Sequence, residues 1–183
     1  MSKRSFSALL VAGSPSTDSR STWVLRRVRE RLERSGFRIE EVSVDDFEPT
    51  DLLKGRFDRP TPKAFLEKVK GAELLVVASP VYKSTYAGAL KTIVDLIEPT
   101  ALDGKYFWGI ATARLSAHLS TVVAGYEQLV TFFRGSRGIE PLVLLDSQVG
   151  SPGAFALERD VEVRIDSQVA GHRRVVRQRH RAT

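Results

Sequence analysis

The stretch VAGSPSTDSRSTWVLRRVRERL, Val11 to Leu32, places Ser14, Ser16, Thr17, Ser19, Ser21 and Thr22 between an apolar run and an amphipathic one. Hydroxyls at that density suit an oxyanion, and a phosphate group is the candidate. A capped, Ser-rich turn is the plain alternative. Gly13 allows a tight turn, and Asp18 or Ser19 can cap the helix that follows. Arg20 is the informative residue. A cation in the first helical turn opposes the helix dipole by up to about 1 kcal/mol unless an anion sits beside it as a partner. The chain lacks both the G-x-G-x-x-G dinucleotide loop and the Gly-Lys-Ser/Thr ending of a triphosphate loop. Hydroxyl donors in place of glycine backbone favour a terminal phosphate over a bridging pyrophosphate.

Two further loops carry candidate contacts. In ASPVYKSTYAGALKTIVDLI, Ala78 to Ile97, Pro80 stiffens the turn, and backbone groups of Val81, Tyr82 and Lys83 can meet the polar edge of a flat heterocycle. Tyr82 and Tyr86 can form an apolar wall, and Gly88 leaves room for close approach to the backbone. The plain alternative packs Tyr82 on the core and leaves Lys83 solvated. In ATARLSAHLS, Thr112, Arg114 and Ser116 can reach the same crevice. His118 has no carboxylate or nucleophile beside it in sequence, and is left out of any catalytic set.

These loops need a scaffold that brings them together. Apolar runs at Phe6–Ala12, Ile39–Val44, Leu74–Ala78, Tyr106–Ala111 and Pro141–Leu145 read as buried strands. Helical patterns lie between them. Leu25, Val28 and Leu32 share one face, as do Leu90, Ile93, Val94 and Ile97. Further helices are predicted from about His118 to Phe133, and from about Ala154 into the C-terminal stretch. Strands alternating with helices imply a parallel sheet with right-handed crossovers and helices on both faces. The expectation is a three-layer, doubly wound α/β fold with a five-stranded parallel sheet in the order 2-1-3-4-5. The loops leaving strands 1, 3 and 4 then converge at the carboxyl edge. One long connection, Asp45 to Pro62, separates the second strand from the next helix; loops of that length commonly cover or bind something.

Composition bounds the rest. With 183 residues, 42% hydrophobic and 27% charged, the chain has room for one domain with a real core. It contains no cysteine, which removes disulfides and thiolate chemistry and suits a reducing compartment. Lys3 and Arg4 precede a short apolar stretch that resembles a signal peptide only superficially. No apolar run reaches the roughly 20 residues of a membrane span, so a cytoplasmic protein without membrane contact is expected. The net charge of +6 is concentrated in Arg173, Arg174, Arg177, Arg179 and Arg181. Such a tail can touch nucleic acid or an acidic partner, but no aromatic residues interleave it. The expected organisation is a domain over residues 1–171 and a flexible basic tail over 172–183, with no nucleic-acid partner.

Together GSPSTDSRS, SPVYKSTYAGALKTIVDLI and FEPTDLLKGRFDRP resemble the NAD(P)H-dependent FMN reductase family, in particular the branch serving alkanesulfonate monooxygenases. The likeness runs from the first strand to Asp146–Val149. It implies a flavodoxin-like fold, homodimers or homotetramers, and a flavin that comes and goes as a substrate. It further implies phosphate contacts from Ser14, Ser19, Arg20 and Ser21, and isoalloxazine contacts from Pro80, Val81, Tyr82 and Lys83, with Thr112 and Arg114 nearby. No side chain is assigned a catalytic role. The chain departs from the family in two places. Ser16 stands where relatives commonly have arginine, and Ala113, Arg114 and Leu115 stand where they have Gly-Gly-Thr. These side chains either crowd the ring or set the Arg114 guanidinium near its pyrimidine edge.

The expected activity is hydride transfer from NADPH or NADH to FMN, with reduced flavin released to a partner monooxygenase, a sulfonate-desulfonating enzyme being the specific form that the resemblance suggests. Two other readings stay open. One is an NAD(P)H quinone or azo reductase that retains its FMN. The other is a non-catalytic electron carrier, which the basic composition disfavours because such carriers are typically acidic.

Overall fold

The computed structural model describes residues 6–182. In chain order the elements are β1 (Phe6–Ala12), α1 (Arg20–Arg34), β2 (Phe37–Ser43), α2 (Pro49–Leu53), α3 (Pro60–Gly71), β3 (Leu74–Tyr82), β4 (Thr85–Tyr86), α4 (Gly88–Val94), β5 (Tyr106–Ala113), α5 (Leu119–Phe132), β6 (Ser136–Arg137), β7 (Leu142–Leu145), β8 (Gly150–Ser151), β9 (Ala154–Phe155) and α6 (Arg159–Ala182). The main sheet is parallel, in the order β2-β1-β3-β5, and its far edge is shared by β6 and β7. Both of these pair with β5, so they act as one fifth strand interrupted before Leu142, where Pro141 supplies no N–H. This is the flavodoxin-like fold with the expected strand order.

Each central strand is apolar on both faces because helices cover both. Leu9, Val11, Leu75 and Val77 point toward α3, α4 and α5, where they meet Phe65, Leu90, Ile93, Val122 and Tyr126. Ala8, Leu10, Leu74, Val76, Trp108 and Ile110 point the other way, onto Val24, Leu25 and Val28 of α1 and Val161, Ile165 and Val169 of α6. The middle of β5 is fitted to one aromatic ring. A Cβ on Gly109 would lie 2.3 Å from the Tyr126 ring, and the Tyr126 hydroxyl donates to the Ile110 carbonyl at 2.8 Å.

Several boundaries differ from the sequence reading. β3 runs four residues past Ala78, to Tyr82, because β4 returns antiparallel to it, with Val81 opposite Tyr86. The long connection is largely folded. Ser43 caps a 3-10 turn over Val44–Asp46, α2 follows, and Phe47 and Leu52 plug into the core, with Phe47 edge-on to Phe65 at 5.8 Å. The last helix starts at Arg159 rather than Ala154, because Ala154–Phe155 pairs with Gly150–Ser151 as a small hairpin.

Residue 172 falls inside α6, which continues through the arginine-rich stretch to Ala182. Val161, Ile165, Val169, His172 and Val176 recur on one helical face and are all buried, while Arg173, Arg174 and Arg177 face outward. Arginine is itself a good helix former, so basic density does not break the helix. Arg31 of α1, buried to 7% exposure, locks α6 in place. It is paired with Glu162 and with Asp166 at 2.8 Å, and it donates to the Arg27 carbonyl at 3.0 Å.

His172 is completely buried against Trp108, with ring centroids 4.6 Å apart, and neither of its ring nitrogens has a hydrogen-bond partner. Burial therefore holds the imidazole neutral and pushes its pKa down from 6.5 to about 3. The unfolded chain binds a proton near pH 6.5 that the folded chain refuses until about 3. This contribution to stability is complete above pH 6.5 and is lost as pH falls through that window. Urea unfolding at pH 7 and pH 5 should show a loss of about 2 kcal/mol that His172→Leu does not share. Equal losses in both proteins would place the acid sensitivity elsewhere.

Candidate active site

Because every crossover returns the chain to the same edge, the loops after β1, β3 and β5 meet at the carboxyl ends of the strands. The loop after β7 joins them. They enclose an open cavity of about 1060 Å³, lined by the first, second and third predicted loops and by Asp146 and Pro152. That is at the upper end of the roughly 300–1,000 Å³ common for ligand sites.

The first loop is positioned from below. The Gly13 amide donates to the Ala78 carbonyl at 2.8 Å, and Leu90 of α4 occupies the space a Gly13 Cβ would need, 2.5 Å from it. The glycine is thus required by close packing of α4 rather than only by a tight turn. Ser19 is the N-cap of α1, its Oγ accepting from the Thr22 amide at 3.3 Å. The first amides of a helix have no intrahelical partner, and Ser19 and Arg20 at this helix start line the cavity. Ser14 is 3% exposed and lines the cavity, and its Oγ accepts from the Ser16 amide at 3.2 Å. Its hydroxyl proton remains for an acceptor in the cavity.

Ser21 is placed otherwise than the resemblance implies. It is fully buried, its hydroxyl lies 2.9 Å from the Ser19 Oγ, and it does not line the cavity; it orients Ser19 from behind. Arg20 does reach the cavity, but its charge is already engaged. Nε donates to the Gly150 carbonyl at 2.7 Å and Nη1 lies 3.6 Å from Asp146 Oδ2.

The second loop is a two-residue hairpin. Pro80, Val81 and Tyr82 remain in β3, and Lys83 and Ser84 turn the chain with φ of 50° and 69°. Neither is glycine, and positive φ costs such residues about 1 kcal/mol each. Buried Ser79 braces the turn, accepting from the Ala87 amide at 2.8 Å and donating to the Pro80 carbonyl at 2.9 Å. Pro80, Val81, Tyr82, Lys83 and Ser84 all line the cavity, and Tyr82 is 47% exposed there. Tyr86 instead stacks on Tyr126 at 5.7 Å, and Gly88 has open space around it.

At the end of β5, Thr112 is buried at the cavity wall and Ala113 is buried outside its lining, while Arg114 and Leu115 are exposed and border the cavity. They leave the cavity open. His118 lines it too, whereas Ser116 does not. The structure thus gathers Ser14, Ser19, Arg20, Pro80, Val81, Tyr82, Lys83, Thr112 and Arg114 around one space and leaves Ser21 behind it.

Sequence reasoning missed Asp146 and Pro152. The signal was available in DSQVGSPG, a turn-rich run directly after the last strand and therefore at the same edge.

The donor set fits a phosphorylated planar ligand. Buried hydroxyls and helix-start amides stand at one end, an apolar shelf of Pro80, Val81 and Tyr82 lies beside them, and Lys83 and Arg114 add positive charge at the rim. The fold and this site define a nucleotide-binding protein of the flavodoxin-like class. A crystal structure described as apo NADH:FMN oxidoreductase EMOB superposes with a TM-score of 0.84 at 25% identity, covering 93% of this chain and 90% of that one. A Streptococcus pneumoniae flavodoxin, at 14% identity and a TM-score of 0.62, shares the fold. Residues 7–148 match the family described as NADPH-dependent FMN reductase, and the chain belongs to it.

An FMN reductase (NADPH) of Escherichia coli strain K12 is 38% identical over 141 residues, which is 77% of this chain and 74% of the relative. One from Pseudomonas putida is 37% identical over 139 residues, covering 76% and 71%. The chain is accordingly an NAD(P)H:FMN oxidoreductase of a family that uses FMN and NADPH.

If Ser14 donates to the flavin phosphate, Ser14→Ala should weaken FMN binding roughly tenfold, as expected for losing a hydrogen bond to a charged group. Riboflavin, which lacks the phosphate, should bind both proteins alike. Flavin fluorescence titration distinguishes the two ligands, and parallel losses for both would move the phosphate away from Ser14.

Proposed function

We propose that this reductase binds FMN as an exchangeable substrate, with its phosphate at the start of α1 and its ring along Pro80, Val81 and Tyr82, and hands the reduced flavin to a partner monooxygenase. The observation that carries the reading is the meeting of the α1 N-terminus, its hydroxyl loop and the apolar β3 shelf in one open cavity. When bound, the two ring systems supply the redox chemistry, hydride passing from the reduced nicotinamide to the flavin.

The chain supplies placement and electrostatics. Ser14, Ser19 and the first amides of α1 hold the phosphate end, with Arg20 adding charge. Pro80, Val81 and Tyr82 present an apolar wall against which a planar ring excludes water. Lys83 and Arg114, at the cavity rim, would supply positive charge to a flavin ring held there, offsetting the negative charge that develops on reduction. Thr112, buried at the wall, adds a hydroxyl between these parts. Both reactants held in contact turn a bimolecular encounter into a local one, the main contribution of a protein without an assigned acid, base or nucleophile.

Release of the product follows from the openness of the cavity, whose rim residues Tyr82 and Leu115 are half exposed. The family resemblance at the first two loops supports a monooxygenase as the recipient, with a sulfonate-desulfonating enzyme as the specific form of this proposal. A homodimer or homotetramer fits the exposed apolar side chains of Leu53, Phe57, Phe132 and Val163. Among the described residues no helix is long and apolar enough to cross a membrane, and the absence of cysteine suits the cytoplasm. Residues 6–182 fit a single domain, since α6 packs on the same sheet as α1.

The test is anaerobic NADPH oxidation by colour-stripped protein with free FMN in large excess. The proposal expects many turnovers per site and FMN preferred over riboflavin. Oxidation that stops after about one flavin per site, and resumes only with a quinone or azo dye, would instead make flavin a retained cofactor. In the same assay Arg20→Ala should raise KM for FMN several-fold more than KM for NADPH. Equal effects would contradict the phosphate placement.

A further inference from the structure

Asp146 is a carboxylate at the phosphate end of a cavity read as binding a dianion. It lies 3.6 Å from Arg20, the cation nearest the start of α1, and both line the cavity, with side chains about one-third exposed. A phosphate and a carboxylate compete for the same guanidinium geometry. Arg20 cannot serve both fully, because its Nε is already committed to the Gly150 carbonyl.

The backbone that carries this carboxylate is also fixed in place. Gln148 Oε1 accepts from the Leu145 amide at 2.9 Å, closing the turn over Asp146–Gln148. Buried Val149 anchors the end of that turn, its amide donating to the Asp146 carbonyl at 3.2 Å. The β8–β9 hairpin beyond it lies against α1 through Phe155 and Trp23, whose ring centroids are 5.6 Å apart. A dianion entering the site must therefore draw Arg20 partly away from a negative charge carried on a fixed turn.

Resting on the FMN reading above, we propose that Asp146 sets the flavin affinity low by competing with the phosphate for Arg20, and so speeds release of reduced FMN. Asp18, the other carboxylate on the cavity wall, makes no ion pair with Arg20, which makes Asp146 the specific competitor.

The experiment measures FMN and riboflavin affinity, and the FMN dissociation rate, for the wild type, Asp146→Asn, Asp146→Ser, Arg20→Gln and the double variant Asp146→Asn/Arg20→Gln. Each protein is first checked for an unchanged thermal transition. The proposal expects both Asp146 variants to bind FMN three- to tenfold tighter and release it more slowly, with riboflavin unchanged, the scale expected for a partly exposed ion pair plus relief of like-charge repulsion.

The gain should vanish in the Arg20→Gln background. A gain that persists there would mean direct repulsion without competition for Arg20, and would overturn the proposal. Unchanged or weaker FMN binding in both Asp146 variants would overturn it as well, making Asp146 neutral or a support that orients Arg20. Wild-type protein that binds neither flavin would instead bring down the FMN reading on which the proposal rests.

Discussion

The contact between Gly13 and Leu90 holds the site together. β1 ends where α4 begins to pack, and only a residue without a Cβ lets the two approach, while the Gly13 amide is spent on the Ala78 carbonyl of β3. One residue thus fixes the hydroxyl loop to the strand that carries the apolar shelf. The start of α1 and the Pro80–Tyr82 edge hold a set separation because both are referred to the same hydrogen bond. A ligand with a phosphate at one end and a flat ring at the other finds its two subsites already spaced, which reduces the ordering cost of binding.

Helix α1 serves two purposes along its length. Its N-terminus brings Ser19 and Arg20 to the cavity, and its buried face, Val24, Leu25 and Val28, covers the sheet. Near its other end Arg31 joins Glu162 and Asp166, so that α6 is tied to the helix that forms the site. Such a buried arginine is stabilising chiefly because its partners are present, since removing one of them would strand a charge. The apolar face of α6 provides the larger stabilisation and carries the basic C-terminal stretch into the fold as helix. The β8–β9 hairpin, lying on Trp23, brings Gly150 and Asp146 to the same helix start.

Much of this was legible in the sequence for definite physical reasons. Runs such as LLVVA and FWGIA are apolar on both faces, which marks central parallel strands, and the strand order follows from short right-handed crossovers. The position of the hydroxyl loop was legible as well, because it directly follows the first apolar strand and so falls at the carboxyl edge of the sheet. Ser21 lies outside the cavity lining because it follows the N-cap by two residues, and the helical turn sets its side chain beside that of Ser19. The β3–β4 hairpin was hidden because Lys83 and Ser84 adopt positive φ without a glycine to announce it. The turn at Asp146 was legible, but its pairing with Arg20 was not, because that approach is created by the fold across more than a hundred residues and no local spacing encodes it. The helical tail was obscured by its arginines, although Val169, His172 and Val176 continue the buried face of Val161 and Ile165.

A crystal structure of the protein soaked with FMN would examine the central claim most directly. The account predicts the phosphate at the start of α1, within hydrogen-bond distance of Ser14 and Ser19, and the ring against Pro80, Val81 and Tyr82. Phosphate density elsewhere in the cavity, or a flavin bound with its ring at the hydroxyl loop, would contradict it.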